Sequence, residues 1–222
     1  MSVRPISDTW FLARTKTKNP NTGKSYYGAY PAGFLERARL VLGVSKTEII
    51  WHICGGYARE YNGVKGGINL SGFGIHDLTF DLDHTTYPDV CCDVRDLDKL
   101  SVPDSETEDD CLKLSPDYKK YFTFTDAFDT EYEVIKKPDA IIIDRPYTPE
   151  DADQYRVGRS VFPDLNKLLR DCLNLVKTGG KVGILDYMVP QGNLGKCVGV
   201  YPVIAGTNCR IRAFTVWEKT DE

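Results

Sequence analysis

Residues 138–148, Pro-Asp-Ala-Ile-Ile-Ile-Asp-Arg-Pro-Tyr-Thr, constrain this chain most. Four apolar residues, Ala140 to Ile143, run without interruption into Asp144-Arg145-Pro146-Tyr147. A short continuous apolar run reads as a strand covered on both faces, the kind found in parallel sheets. Asp144 then stands at the carboxyl end of that strand, the edge where open α/β sheets bind ligands. Pro146 and Pro149 remove backbone donors and stiffen the turn, which holds Tyr147 at the rim. A carboxylate, a rigid turn and an aromatic ring together suit a flat, nitrogen-bearing ring: the acid accepts from an amino group and the tyrosine stacks. A tetrapeptide of this kind also recurs as an ordinary turn after a buried strand.

The flanking chain supplies more strands with polar tips. Glu48 to Cys54 predicts a first core strand, with Gly55-Gly56 directly behind it. Paired glycines in that place let a backbone come close to a ligand, and they also make plain turns. Leu78 to Asp83 predicts a second strand tipped by Asp81 and Asp83. An acid here suits a ribose diol. Tyr87 to Asp93 predicts a short third strand ending on Asp93, an acceptor for an adenine amino group. Each acid taken alone is equally a helix N-cap or a solvated loop end.

Helical spacing marks two segments. Phe34 to Leu42, stopped by Gly43, predicts a short helix. Asp164 to Val176 repeats apolar residues at helical intervals and stops at Gly179-Gly180. Lys181 to Met188 predicts a further strand, and residues 197–204 and 210–219 a closing antiparallel hairpin. The glycine-rich segment from Tyr57 to Asp77 lacks helical periodicity and reads as a hairpin or lid. Residues 104–137 carry Tyr118, Tyr121, Phe122, Phe124 and Phe128, which read as cover for the sheet or as walls of a substrate pocket. Pro149 to Arg159 reads as a charged loop, either a lid with Tyr155, Arg156 and Arg159 to grip a substrate or equally a solvated loop.

Composition narrows the class. With 222 residues, 41% hydrophobic and 27% charged, the chain has the make-up of one soluble α/β domain, and no apolar run approaches a membrane span. Seven cysteines without CxxC spacing suggest reduced thiols in a cytoplasmic protein, and His52, His76 and His84 show no metal-ligand spacing with them. The net charge of −4 argues against a nucleic-acid partner, yet it is uneven. Residues 104–110 form an acidic run that reads as a solvated loop, whereas residues 1–29 form a basic and aromatic arm. Arg4, Arg14, Lys16, Lys18 and Lys24 lead there into Tyr26 and Tyr27. Basic residues beside aromatics suit phosphate contact with base stacking, and equally a solvated arm.

Taken together, residues 30–222 resemble a class I S-adenosylmethionine-dependent methyltransferase. The tetrapeptide Asp144 to Tyr147 is similar to the Asp-Pro-Pro-Tyr motif of amino-methyltransferases, with Arg145 at the first proline. The turn Lys177-Thr178-Gly179-Gly180-Lys181 is similar to the family's helix-to-strand turn. Tyr30 to Leu35 (Tyr-Pro-Ala-Gly-Phe-Leu) resembles the start of small phage or mobile-element members. The resemblance implies a single-domain Rossmann-like fold, a mostly parallel sheet with a C-terminal antiparallel hairpin. It implies S-adenosylmethionine as cofactor and an exocyclic amino group of adenine or cytosine, in DNA, as target. Cys54, Gly55 and Gly56 would lie against the methionine part of the cofactor, Asp81 at the ribose, Asp93 at the adenine amino group and Val94 on its ring. Asp144 would accept from the target amino group, Pro146 would shape the turn and Tyr147 would stack on the base. Arg145 would either pair with Asp144 or meet a substrate phosphate. The chain leaves little room for a sequence-reading domain, which implies weak sequence specificity, a homodimer or a free nucleotide as substrate. Arg145 and the first motif, which lacks the GxG spacing, keep a non-catalytic member of the fold as the alternative. A dehydrogenase-like domain would carry G-x-G-x-x-G, which is absent.

Overall fold

The computed structural model describes residues 6–13, 30–61, 72–102, 110–125, 134–154, 162–191, 193–206 and 211–219. In chain order the strands are β1 (Ile6–Ser7), β2 (Trp10–Leu12), β3 (Ile50–Ile53), β4 (Leu78–Asp81), β5 (Val90–Cys92), β6 (Ser101–Val102), β7 (Cys111–Leu114), β8 (Phe122–Phe124), β9 (Val134–Lys136), β10 (Ala140–Ile143), β11 (Lys181–Asp186), β12 (Lys196–Ala205) and β13 (Ile211–Glu218). The helices are α1 (Phe34–Leu42), α2 (Ala58–Tyr61), α3 (Pro149–Gln154) and α4 (Leu165–Leu175). Among the described residues, no helix is long and apolar enough to cross a membrane.

The main sheet has the order β12-β13-β11-β10-β3-β4-β5-β8, with β1 and β2 both paired to β12. Strands β11, β10, β3, β4 and β5 run parallel. β13 runs against both β11 and β12, so the closing hairpin inserts one reversed strand into the sheet. The chain lays down β3, β4 and β5 in one direction and then crosses back to place β10 on the other side of β3. This reversal creates a topological switch point between β3 and β10, the place where such sheets hold their ligands. The result is the Rossmann-like α/β fold expected from the strand pattern. A small sheet, β6-β7-β9, stands apart from it.

Packing explains why β10 is apolar throughout. Ala140 and Ile142 join one core with Phe34, Leu35 and Ala38 of α1. Ile141 and Ile143 join the other with Leu165, Leu168 and Leu169 of α4. A strand in a sheet covered on both faces has no side for polar residues. α1 ends where Gly43 takes a left-handed φ of 78° and its N–H reaches the Arg39 carbonyl. α4 begins at Asp164, whose Oδ1 accepts from the Lys167 N–H at 2.7 Å.

Three segments depart from the expectations. Residues 6–12, read as part of an extended or irregular basic arm, add two short strands along β12. Trp10 is buried and its ring stacks on Tyr201 at 4.9 Å. The basic part of that arm lies outside the described residues, as do residues 103–109 of the acidic run, Phe128, and Tyr155, Arg156 and Arg159. Residues 149–154, read as loop, form α3. Thr148 Oγ1 caps the Asp151 N–H at 3.1 Å, and Pro149, Glu150 and Asp151 fill the first turn, where a fixed φ and negative charge both favour helix. The glycine-rich segment begins as α2, four residues long, and residues 62–71 lie outside the description. Tyr118 is buried in the core, whereas Phe122 and Phe124, read as sheet cover, belong to β8, an edge strand of the sheet itself.

Candidate functional site

Ile53 and Ile143 are register partners at the ends of β3 and β10, and the Asp144 N–H donates to the Ile53 carbonyl at 3.2 Å. Beyond this bond the two chains separate. Cys54 turns the first away with a φ of 57°, in the left-handed region that residues with a Cβ rarely enter. Gly55 follows, its N–H bonded to the Phe80 carbonyl at 3.1 Å. A Cβ on Gly55 would meet the His52 carbonyl oxygen at 2.9 Å, so the loop is closed to larger residues. Gly56 has a φ of 48°, and its N–H donates to Asp81 Oδ2 at 2.8 Å. Cys54, Gly55, Gly56, Asp81 and Asp144 therefore border one crevice at the switch point.

Asp81 accepts from the backbone on both oxygens, with the Asp83 N–H on Oδ1 at 2.9 Å. Burial pushes its carboxyl above the ordinary range, against the pull of these bonds. Asp83 itself caps the turn at residues 84–86 through the Thr85 N–H. Burial also raises the Cys54 thiol well above its usual value, and the Asp81 and Asp144 carboxylates add to that. A thiol so placed is not a nucleophile.

Asp144 is half-buried. Its Oδ1 accepts from the Tyr147 hydroxyl at 2.6 Å, and that hydroxyl accepts from Arg212 Nη1 at 2.6 Å. Oδ2 takes no hydrogen bond from the described residues. Burial raises the Asp144 carboxyl to about 6, opposed by Arg212 and the Tyr147 hydroxyl and helped by Asp186. The Tyr147 ring lies 4.6 Å from that of Tyr187, tilted by 50°. Pro146 is half-buried between Arg145 and Tyr147.

Arg145 turns away from Asp144 and is buried. Its Nε pairs with Asp186 Oδ2 at 2.9 Å, its Nη1 donates to the Pro163 carbonyl at 2.9 Å, and the guanidinium lies over the Phe162 ring. Of the two expected partners, Asp144 does not receive it; Asp186 does. Asp93 stands at the tip of β5 as expected, but Arg95 grips both its oxygens. Burial opposes the Asp93 charge; the Arg95 bonds outweigh it and hold the carboxyl below the ordinary range. Val94 is buried in the core.

Sequence reasoning missed Arg212, Asp186 and Tyr187. Asp186 ends a core strand just as Asp81 and Asp144 do, and that signal was present in the sequence. Arg212 carries no such mark, because it reaches the site only through the reversed direction of β13. Reasoning also missed the buried cluster behind β3. There Asp77 accepts from Arg39, from the Ile50 N–H at 3.0 Å and from the Gly74 N–H at 2.6 Å, with His52 Nε2 3.2 Å away. Burial works against the Asp77 charge, but His52 and Arg39 hold its carboxyl down to about 2. Among the described residues no cluster of His, Cys, Asp and Glu could hold a metal ion.

No family model and no curated protein matches the chain. Among solved structures it is similar to a candidate S-adenosylmethionine-dependent methyltransferase from Streptococcus mutans. The identity is 14% and the TM-score 0.43, over 87% of this chain and 50% of that one. It is similar also to a candidate methyltransferase from Bacillus halodurans, with 12% identity, a TM-score of 0.33 and coverage of 72% and 53%. An O-methyltransferase family protein from Burkholderia thailandensis gives 10%, 0.32, 84% and 56%. The chain spans about half the length of these structures. At such values they carry no argument, and the fold rests on the strand order itself.

Proposed function

We propose that this protein is an S-adenosylmethionine-dependent methyltransferase acting on an exocyclic amino group of a nucleobase, adenine or cytosine, in DNA. The observation that carries the reading is the Asp144 carboxylate, half-buried at the switch point, with Oδ2 open beside the Cys54-Gly55-Gly56 loop. The residues present fit the cofactor: Gly55 admits no side chain, and Asp81 is anchored by backbone N–H groups while each oxygen keeps a second lone pair for a ribose hydroxyl. When bound, the sulfonium would supply an electrophilic methyl group, the C–S bond breaking with its electron pair to sulfur and the neutral thioether, S-adenosylhomocysteine, leaving.

The protein's own part is positioning and proton handling. An amino nitrogen on a base is a poor nucleophile because its lone pair conjugates with the ring. Asp144 Oδ2 accepts one of its N–H bonds, which draws the nitrogen toward tetrahedral geometry and frees the lone pair. As the N–C bond forms, the amino proton becomes acidic and passes to Oδ2. A carboxyl titrating at about 6 is poised for that at neutral pH. Tyr147 offers its ring to the base. Because Arg145 is committed to Asp186, Asp144 stays open to substrate.

A second reading is a protein that keeps the fold without transfer; the Asp93 carboxylate, both of whose oxygens are taken by Arg95, favours it. Labelled-methyl transfer to DNA, RNA and free nucleotides decides between them. Asp144→Ala should lower turnover by roughly 10²–10⁴-fold with cofactor affinity nearly unchanged. Retained turnover in that variant removes Asp144 from the chemistry. Steep loss of activity with salt marks a nucleic-acid substrate, whereas salt-insensitive turnover of a mononucleotide marks a small one.

A further inference from the structure

Arg212 is the second residue of β13, the reversed strand, so it enters the ligand edge from the side opposite β3. It is half-buried and donates to the Tyr147 hydroxyl, which in turn donates to Asp144 Oδ1. The direction of this chain is fixed at both ends. A guanidinium can only donate, so the hydroxyl must use its own proton on the carboxylate. One oxygen of Asp144 is thereby occupied and the other left for substrate.

We propose that Arg212 is a positioning residue of the site: through the Tyr147 hydroxyl it fixes the orientation and charge of the Asp144 carboxylate, so that Oδ2 alone is presented to an N–H donor of the substrate. The proposal rests on the reading of Asp144 as the substrate acceptor. Its consequence is that one arginine on the last strand sets two things together, the ring plane of Tyr147 and the ionisation of Asp144.

The charges around Asp144 come from four elements. Tyr147 belongs to its own turn, Arg212 to β13, Asp186 to the end of β11 and Cys54 to the turn after β3. Asp186 is a carboxylate and favours the neutral form of Asp144, and its own cation, Arg145, is spent on it. The Cys54 thiol is held neutral. Among these groups Arg212 is the one cation that favours the charged form. Its removal therefore raises the Asp144 carboxyl further and moves the acid limb of activity toward higher pH.

The test follows the Asp144 carboxyl directly, by carbon NMR of the labelled full-length protein, in wild type, Arg212→Gln, Arg212→Lys and Tyr147→Phe. The expected result is an upward shift of the Asp144 midpoint by about one pH unit or more in Arg212→Gln. Arg212→Lys should recover most of it. The acid limb of the turnover profile should move with the midpoint, while the KM for S-adenosylmethionine stays within about twofold, because Arg212 touches no cofactor residue. An Asp144 midpoint that does not move in folded Arg212→Gln overturns the proposal. Should Arg212→Gln fail to fold, Tyr147→Phe cuts the same chain while every charge stays in place. An unmoved Asp144 midpoint and unchanged turnover in that variant then overturn it. The carboxyl titration needs no activity, so a wild type without methyl transfer, or turnover indifferent to Asp144→Ala, would sink the functional reading separately.

Discussion

At the scale of single residues, Asp144 carries a cost that the proposed function would explain. Its carboxyl is moved by burial from 3.8 to about 6. An acid whose folded value lies above its unfolded one keeps its proton in the native state after the unfolded chain has released it. The native state is thus favoured below pH 4, and the advantage is lost as the pH rises through 6. Asp144→Asn removes this slope but keeps an oxygen for the Tyr147 hydroxyl. Urea unfolding should find the variant more stable than wild type by about 1–3 kcal/mol at neutral pH, with the two converging near pH 4. A gap that does not depend on pH would show that Asp144 is not strained in this way. The single residues were only partly legible. Asp81 and Asp144 announced themselves because each ends a hydrophobic strand, and a strand tip is a local property. The partners of Arg145 and Asp93 were not, because a guanidinium can pair with any carboxylate within reach and reach depends on packing.

At the scale of elements, Arg145 and Asp186 tie the turn after β10 to the end of its neighbour β11. Both side chains are almost wholly buried. Such a pair adds little over an apolar contact, but breaking one partner leaves an uncompensated charge. Arg145→Met should therefore lower stability by about 3–5 kcal/mol, and lowering the pH should restore part of it by protonating Asp186. Arg145→Met with Asp186→Leu should regain most of the loss. An Arg145→Met variant as stable as wild type in denaturant titration would contradict the buried pair. This also corrects the expectation that Arg145 pairs with Asp144: its partner is Asp186. Elements were more legible than partners. The bounds of α1 and β10 agree with the sequence, because helical spacing with a glycine stop and a doubly buried apolar run are strong local signals. The short strands of the N-terminal segment were obscured by the basic residues beside them, although Trp10-Phe11-Leu12 alternates buried, exposed, buried as an edge strand should. α3 was read as loop because its acids looked like solvated charge, when in a first turn they favour the helix.

At the scale of the whole molecule, the sheet order joins groups far apart in the chain. Gly55 and Gly56 come from the first third, Asp144 from the middle and Arg212 from the last strand, and one reversal of direction between β5 and β10 places them around one crevice. A ligand held there touches the ends of β3, β4 and β10 at once, so its binding energy acts on the parallel core as a unit. S-adenosylhomocysteine at a concentration one hundred times its Kd should stabilise the fold by about 2.7 kcal/mol. For a chain of this length that raises Tm by roughly 5–10 °C, measured by calorimetry on the full protein. Asp81→Ala should erase the shift, because it removes both the proposed ribose acceptor and the brace on the Gly56 N–H. Asp144→Asn should keep it, because the proposed function gives Asp144 to the substrate and not to the cofactor. A shift that Asp81→Ala leaves intact would mean that the ligand sits elsewhere on the sheet. A shift that Asp144→Asn abolishes would mean that this acid holds the cofactor and not the acceptor nitrogen. The two variants therefore separate the halves of one crevice, and they do so whatever substrate the site takes.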